Sequence, residues 1–261
     1  MSRSPSLYVD RNTVFHRLTA RSKLVLLLGV FTTAYVFGHP AAVFVPLAAS
    51  FIALVYAGGW RNFKRLAFIV AALFLVGFIV WPAFTAPGGP TLLRTPVVTV
   101  TQREFLFALG RSKRIAAFII GGLLFVTTTS NEEIVTGLRA LGLPYAFCFA
   151  VGTALRLFPT FLGATGTVQQ AQAARGHEVN GGNPISRLRG YIPLLIPVFM
   201  TAIRNVQTQS MALEARGFDT RRDRTFYNRR SFAPADWAVV VISLVLVVGS
   251  VWLSYTGYGG I

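Results

Sequence analysis

One short pattern, Ala-x-x-Ala-Arg-Gly, occurs twice in the second half of the chain, as Ala171-Gln172-Ala173-Ala174-Arg175-Gly176 and as Ala212-Leu213-Glu214-Ala215-Arg216-Gly217. Each copy closes a long stretch of helical character. Alanine favours helix and leaves room for another surface to come close. Glycine takes the left-handed backbone that ends a helix. The arginine before it projects from the last turn as a rigid five-donor fork that fits a carboxylate. For either copy alone, an ordinary helix C-cap explains the residues as well, the arginine complementing the helix dipole. Two copies on equivalent helix ends point to a shared role.

The rest of the chain offers little chemistry of its own. It has no Gly-x-x-x-x-Gly-Lys-Ser/Thr loop, so no P-loop ATP site is expected. His177-Glu178 begins like a zinc-binding His-Glu-x-x-His helix, but position 181 is glycine. The three histidines, His16, His39 and His177, are scattered, and a surface or loop role is expected for each. No apolar segment holds a pair of acids, which argues against a proton or cation relay. Asp219 and Asp223 lie among arginines, where local charge balance accounts for them. An acidic metal cluster facing a substrate is also missing, so no catalytic, metal or cofactor residues are assigned.

Composition sets the class. Of 261 residues, 53% are hydrophobic and 13% charged, and mean hydropathy is +0.56. Long apolar runs place such a chain in a membrane. The net charge of +16 could signal nucleic-acid binding on a soluble protein. Beside apolar spans it reads instead as arginines holding loops on the cytoplasmic side, next to anionic lipid and an acidic partner. Cys148 is the single cysteine, so no intrachain disulfide is possible, and it is expected to pack as a small hydrophobe.

The elements follow from this pattern. A basic leader covers residues 1–23, and its charge and length argue against a cleaved signal. Transmembrane spans are expected at about 24–37, 41–57, 66–84 and 115–129, with a last one in 235–261. Residues 58–65 read as a basic loop anchored by Trp60. Residues 85–113 are the longest connection, with a Pro/Gly turn cluster, a short extended piece at 95–101 and a helix start within 103–114. Ser130 and Glu133 have capping-box spacing and open a short amphipathic helix, 131–141, stopped by Gly142 and Pro144. Two long helices, 145–175 and 186–216, pass from apolar to polar and end in the repeated motif. Arg156 and Pro159 argue against lipid exposure of 145–163. The fold class is thus an all-α polytopic membrane protein. It has about five spans (domain 1–130 and final helix 235–261) and a cytoplasmic coupling domain of amphipathic helices, 131–234, inserted before the last span. The positive-inside rule then puts the N-terminus in the cytoplasm, the C-terminus outside, and 20 of the 25 basic residues on the cytoplasmic side.

The paired motifs resemble those of the transmembrane T component of energy-coupling-factor (ECF) transporters, the EcfT/CbiQ/BioN-like family. Asn131-Glu132-Glu133-Ile134 through Arg139 resembles the segment before that family's coupling helices. Arg156-Leu157-Phe158-Pro159 is similar to its Arg-Phe-x-Pro stretch, Pro193 and Pro197 to its proline-containing second long helix, and Arg224-Thr225 to the Arg-Thr after the second motif. The match is good over about 114–225 and weaker upstream.

The resemblance implies a coupling scaffold in the cell membrane of a prokaryote. Two cytosolic ABC-type ATPases, identical or different, bind at Ala174, Arg175, Gly176 and at Ala215, Arg216, Gly217, each arginine pairing with an acidic side chain. ATP and magnesium belong to those ATPases, and this chain is no enzyme. A small membrane S component captures a vitamin or transition-metal ion. Three other readings compete: a permease of a conventional ABC importer, a membrane enzyme, and a membrane adaptor without transport. The two motifs in one chain and the unpaired last span disfavour the first. The missing catalytic cluster disfavours the second.

Overall fold

The computed structural model describes residues 8, 9, 11, 13–84, 88, 90–94, 99–176, 184–219 and 232–256. Among them nine α-helices follow one another: α1 (Val14–Arg17), α2 (Ala20–Val36), α3 (Pro40–Tyr56), α4 (Trp60–Val80), α5 (Gln102–Thr128), α6 (Asn131–Ala140), α7 (Tyr145–Ala174), α8 (Pro184–Ala215) and α9 (Pro234–Tyr255). A 3-10 turn, Trp81–Phe84, follows α4. A small antiparallel ladder, β1 (Thr91–Arg94) with β2 (Thr99–Thr101), fills part of the connection to α5, where the sequence had an extended piece.

The chain divides into two compact units, residues 1–141 with 229–261, and residues 142–228. The first is a helical bundle. Leu54 of α3 and Ala57 just past its end pack with Ile120, Leu123 and Leu124 of α5, with Leu26, Phe51 and Phe63 around them. α2 also packs on α5 and on α9. Gly29 lets α2 approach α9 so closely that a Cβ there would lie 3.1 Å from Ser243 Cβ. α6 packs on the start of α2, where a Cβ on Gly137 would meet Ala20 Cβ at 2.9 Å.

Much apolar surface faces outward, including Phe68, Ile69, Val76 and Ile79 of α4 and Ile242 and Val245 of α9. α4, α7 and α9 are long and apolar enough to cross a membrane, and α5 with α6, bent by 106°, forms a further candidate. α2 and α3 have 17 residues each, about 26 Å at 1.5 Å rise, a little short of a ~30 Å hydrocarbon core. The architecture is that of an all-α polytopic membrane protein. The candidates differ from the five expected spans by including α7, whose Arg156 is exposed along with Phe158 and Pro159, and by leaving out the shorter α2 and α3.

Two local readings are corrected and one holds. Residues 60–65 are not loop: α4 begins at Trp60, with Gly59 before it, and Asn62 is buried where it donates to Thr127 Oγ1 at 3.2 Å. The helix start expected over 103–114 is present: α5 begins at Gln102, where the Glu104 carboxylate accepts from the Thr101 N–H at 2.6 Å. His16 is neither surface nor loop. It is buried in α1, with Nε2 2.8 Å from the Val9 carbonyl and Nδ1 2.7 Å from Thr13 Oγ1.

The polar groups of the bundle gather where helices end. Lys23 Nζ donates to the free Thr128 carbonyl at 2.7 Å and to Glu133 Oε2 at 2.6 Å. Glu133 also closes the capping box with Ser130. At the other end of α2, Arg114 donates to the Ala34 and Phe37 carbonyls at 2.9 and 2.7 Å. Asp236, 1% exposed, accepts from the Thr19 N–H at 2.7 Å, the Thr19 hydroxyl at 2.9 Å and the Ala233 N–H at 2.9 Å.

Removing one partner of a buried ion pair strands the other, at a cost of about 3 kcal/mol or more. Lys23→Met and Glu133→Leu are therefore each expected to lower the thermal midpoint in lipid nanodiscs, and the double variant to lose less than the two singles combined. Burial, reinforced by the Lys23 charge, holds the His16 imidazole below its ordinary pKa, while the Val9 carbonyl and Glu133 pull the other way. The unfolded chain then takes up that proton first. This part of the stability is complete above about pH 6.5 and is lost as pH falls through the lower, folded pKa. A thermal-melt series from pH 7.5 to 5 checks it, and His16→Asn is expected to flatten the acid limb.

Candidate functional site: two arginine-bearing helix ends

The second unit is built on α7 and α8, which pack on each other. Both stay helical through their prolines, Pro159 in α7 and Pro193 and Pro197 in α8. Proline has no N–H and leaves the carbonyl four residues earlier without its donor. Pro197 does this to the Pro193 carbonyl, and Gln172 Nε2 of α7 donates to that oxygen at 3.3 Å.

Both helices end as the motif predicts. Gly176 has φ +84° and Gly217 φ +64°. The Gly176 N–H donates to the Ala173 carbonyl at 2.9 Å. The Gly217 N–H donates to Glu214 at 2.9 Å and the Phe218 N–H to Leu213 at 2.9 Å, the paired bonds of a Schellman stop. Backbone N–H groups thus close both turns on the carbonyls of Ala173, Leu213 and Glu214. Ala174, Arg175 and Gly176 are exposed, as are Ala215, Arg216 and Gly217.

Contacts at both ends show that α7 and α8 run in opposite directions. Gln172, near the end of α7, meets Pro193 in the first part of α8. Phe218, just past α8, packs on the start of α7, its ring centroid 4.6 Å from Phe149 and 6.2 Å from Tyr145. The two motifs therefore lie at opposite ends of the pair. Phe149 and Arg175 are 26 positions apart along α7, so the helix rises roughly 40 Å between them at 1.5 Å per residue. The two arginines stand at separate ends of the pair rather than side by side.

Gln172 and Phe218 escaped the sequence reading. The signal for Gln172 was a polar residue opposite a proline in a facing helix, and for Phe218 an aromatic at the residue that closes a Schellman turn. His177, Asp223, Arg224 and Thr225 lie outside the described residues. Cys148 is buried in the first turn of α7, its Sγ 3.8 Å from the Leu143 carbonyl. Among the described residues no three His, Cys, Asp or Glu side chains come together as a metal site.

The class this defines is an all-α polytopic membrane protein with two exposed, arginine-bearing helix ends. The chain belongs to the CbiQ family, described as cobalt transport proteins, whose family model matches residues 11–227. Proteins named energy-coupling factor transporter transmembrane protein EcfT are similar over nearly their whole length. That of Brevibacillus brevis is 26% identical over 94% of this chain and 96% of its own. That of Staphylococcus aureus is 24% identical over 96% of each. That of Bacillus subtilis is 25% identical over 92% and 93%. The chain is thus a transmembrane component of the ECF transporter type.

A thiol as enclosed as Cys148, 2% exposed, is expected to resist modification. A membrane-impermeant maleimide should leave it unlabelled when applied to either face of a nanodisc, and label it only after denaturation. Rapid labelling of the native chain would contradict this packing.

Proposed function

We propose that this chain is the energy-coupling scaffold of an ECF-type importer in a bacterial cell membrane. It links ATP hydrolysis by two cytosolic ABC-type ATPases to movement of a small membrane S component that carries a vitamin or a transition-metal ion. The observation that carries the reading is the placement of Arg175 and Arg216. Two copies of one motif end two antiparallel helices at opposite ends, with each arginine exposed. One scaffold so built offers the same contact twice, which suits a pair of similar partners.

An arginine fork in a helix-end groove pairs with a carboxylate on each ATPase. ATP and magnesium are held by those ATPases, and this chain supplies no catalytic group. Closure of the ATPase pair moves the two ends of the α7–α8 pair, and the pair passes that movement to the S component. The N-terminus lies in the cytoplasm and the C-terminus outside, which puts most of the basic residues, both motifs included, on the ATPase side.

The test is affinity capture of the tagged full-length chain in mild detergent, with partners identified by mass and uptake measured in parallel. Wild type is expected to bring down ABC-type ATPases and a small hydrophobic protein. Truncating one side of a buried interfacial charge pair costs about 2 kcal/mol or more, roughly 30-fold in affinity. Arg175→Ala with Arg216→Ala should therefore release the ATPases and abolish uptake while the chain stays folded in the membrane. Normal uptake by that double variant would sink the coupling role.

A further inference from the structure

Each motif arginine has a tether to the opposite helix close beside it. Gln172 lies three residues before Arg175, one helical turn away on the same side. Its amide holds the Pro193 carbonyl, an oxygen whose helical donor Pro197 cannot supply. Phe218 lies two residues after Arg216. Its N–H closes the Schellman turn on Leu213, and its ring packs on Phe149 and Tyr145. Helix ends fray, and an arginine on a frayed end presents its fork in many directions. Each tether fixes the backbone turn from which one arginine projects.

We infer that Gln172 and Phe218 are positioning residues, Gln172 for Arg175 and Phe218 for Arg216, each holding its arginine in place for one ATPase. The inference rests on the reading of those arginines as ATPase contacts. The tethers differ in kind, a hydrogen bond to an orphaned carbonyl at one end and an aromatic cluster at the other. What they share is the geometry: the end of each helix is tied to the body of its partner. A tether that merely stabilised the pair would affect both arginines alike. A tether that positions its neighbour affects one.

The experiment is a set of double-mutant cycles on the full-length chain in nanodiscs. The probe is the ATPase pair recovered with the wild-type chain, purified and titrated. Gln172→Met removes the donor at similar volume, and Phe218→Ala removes the ring. Phe218→Leu serves if the alanine variant misfolds, with thermal midpoints recorded for all. Each tether variant is expected to weaken ATPase binding about tenfold, a loss in the range of one unmet buried hydrogen bond or lost packing contact. With Arg216→Ala already present, Phe218→Ala should add less than about twofold, whereas with Arg175→Ala present it should keep its full effect. Gln172→Met should show the mirror pattern, coupled to Arg175 and independent of Arg216. Equal effects on both arginine backgrounds, or wild-type binding by both tether variants, would overturn the positioning role. Wild-type binding by the single arginine variants would instead overturn the ATPase reading and this inference with it, and that result is read before any tether is changed.

Discussion

A helix that stops in or near a bilayer leaves free N–H and C=O groups, and lipid offers them no partner. In the bundle, side chains from other helices meet that need. Lys23 of α2 donates to the Thr128 carbonyl at the end of α5. Arg114 of α5 donates in return to the Ala34 and Phe37 carbonyls at the end of α2. The two antiparallel helices thus close each other's C-termini, one with an ammonium and one with a guanidinium. The Val9 N–H takes the neighbouring Thr127 carbonyl of α5, and Asp236 of α9 takes the N–H of Thr19, the residue that precedes α2. Cations at helix C-termini and a carboxylate at an N-terminus also match the helix dipoles. Most of the buried charge in this unit is engaged in this way.

The second unit uses its helix ends differently. α7 and α8 turn out of helix through a left-handed glycine whose N–H bonds back to the last turn. Arg114 is buried and bonded to two carbonyls, whereas Arg175 and Arg216 are exposed. The prolines fit the same pattern. The donor lost at Pro197 becomes a place where α7 grips α8 through Gln172, so a residue that weakens one helix specifies how two helices pair.

Local features were legible in the sequence, and long-range ones were not. The capping box at Ser130 and Glu133, the helix stops at Gly176 and Gly217, and the extended conformation of 99–101, the described part of the 95–101 piece, follow from backbone rules over a few residues. Helix starts proved harder. Trp60 to Arg65 carries three basic residues in a row of six and reads as loop, yet Asn62 faces Thr127 across the bundle and the helix begins there. The pairing of Lys23 with Glu133 spans 110 positions, and nothing in either neighbourhood announces the other. His16 looked like any scattered histidine because the segment that encloses it is tied down through Val9 to Thr127 of α5, far away in sequence. Of the candidate site, the motif residues were visible as a repeat. Their separation and their tethers required the antiparallel pairing of α7 with α8.

The contact between Thr19 and Asp236 joins residues 217 positions apart. At a synthesis rate of about 5–20 residues per second, Asp236 is made roughly 10–40 s after Thr19. Throughout that interval the Asp236 carboxylate is not there to receive the Thr19 N–H. The last helix therefore does more than add one further span: it brings the carboxylate that the head of the first long helix lacks until then.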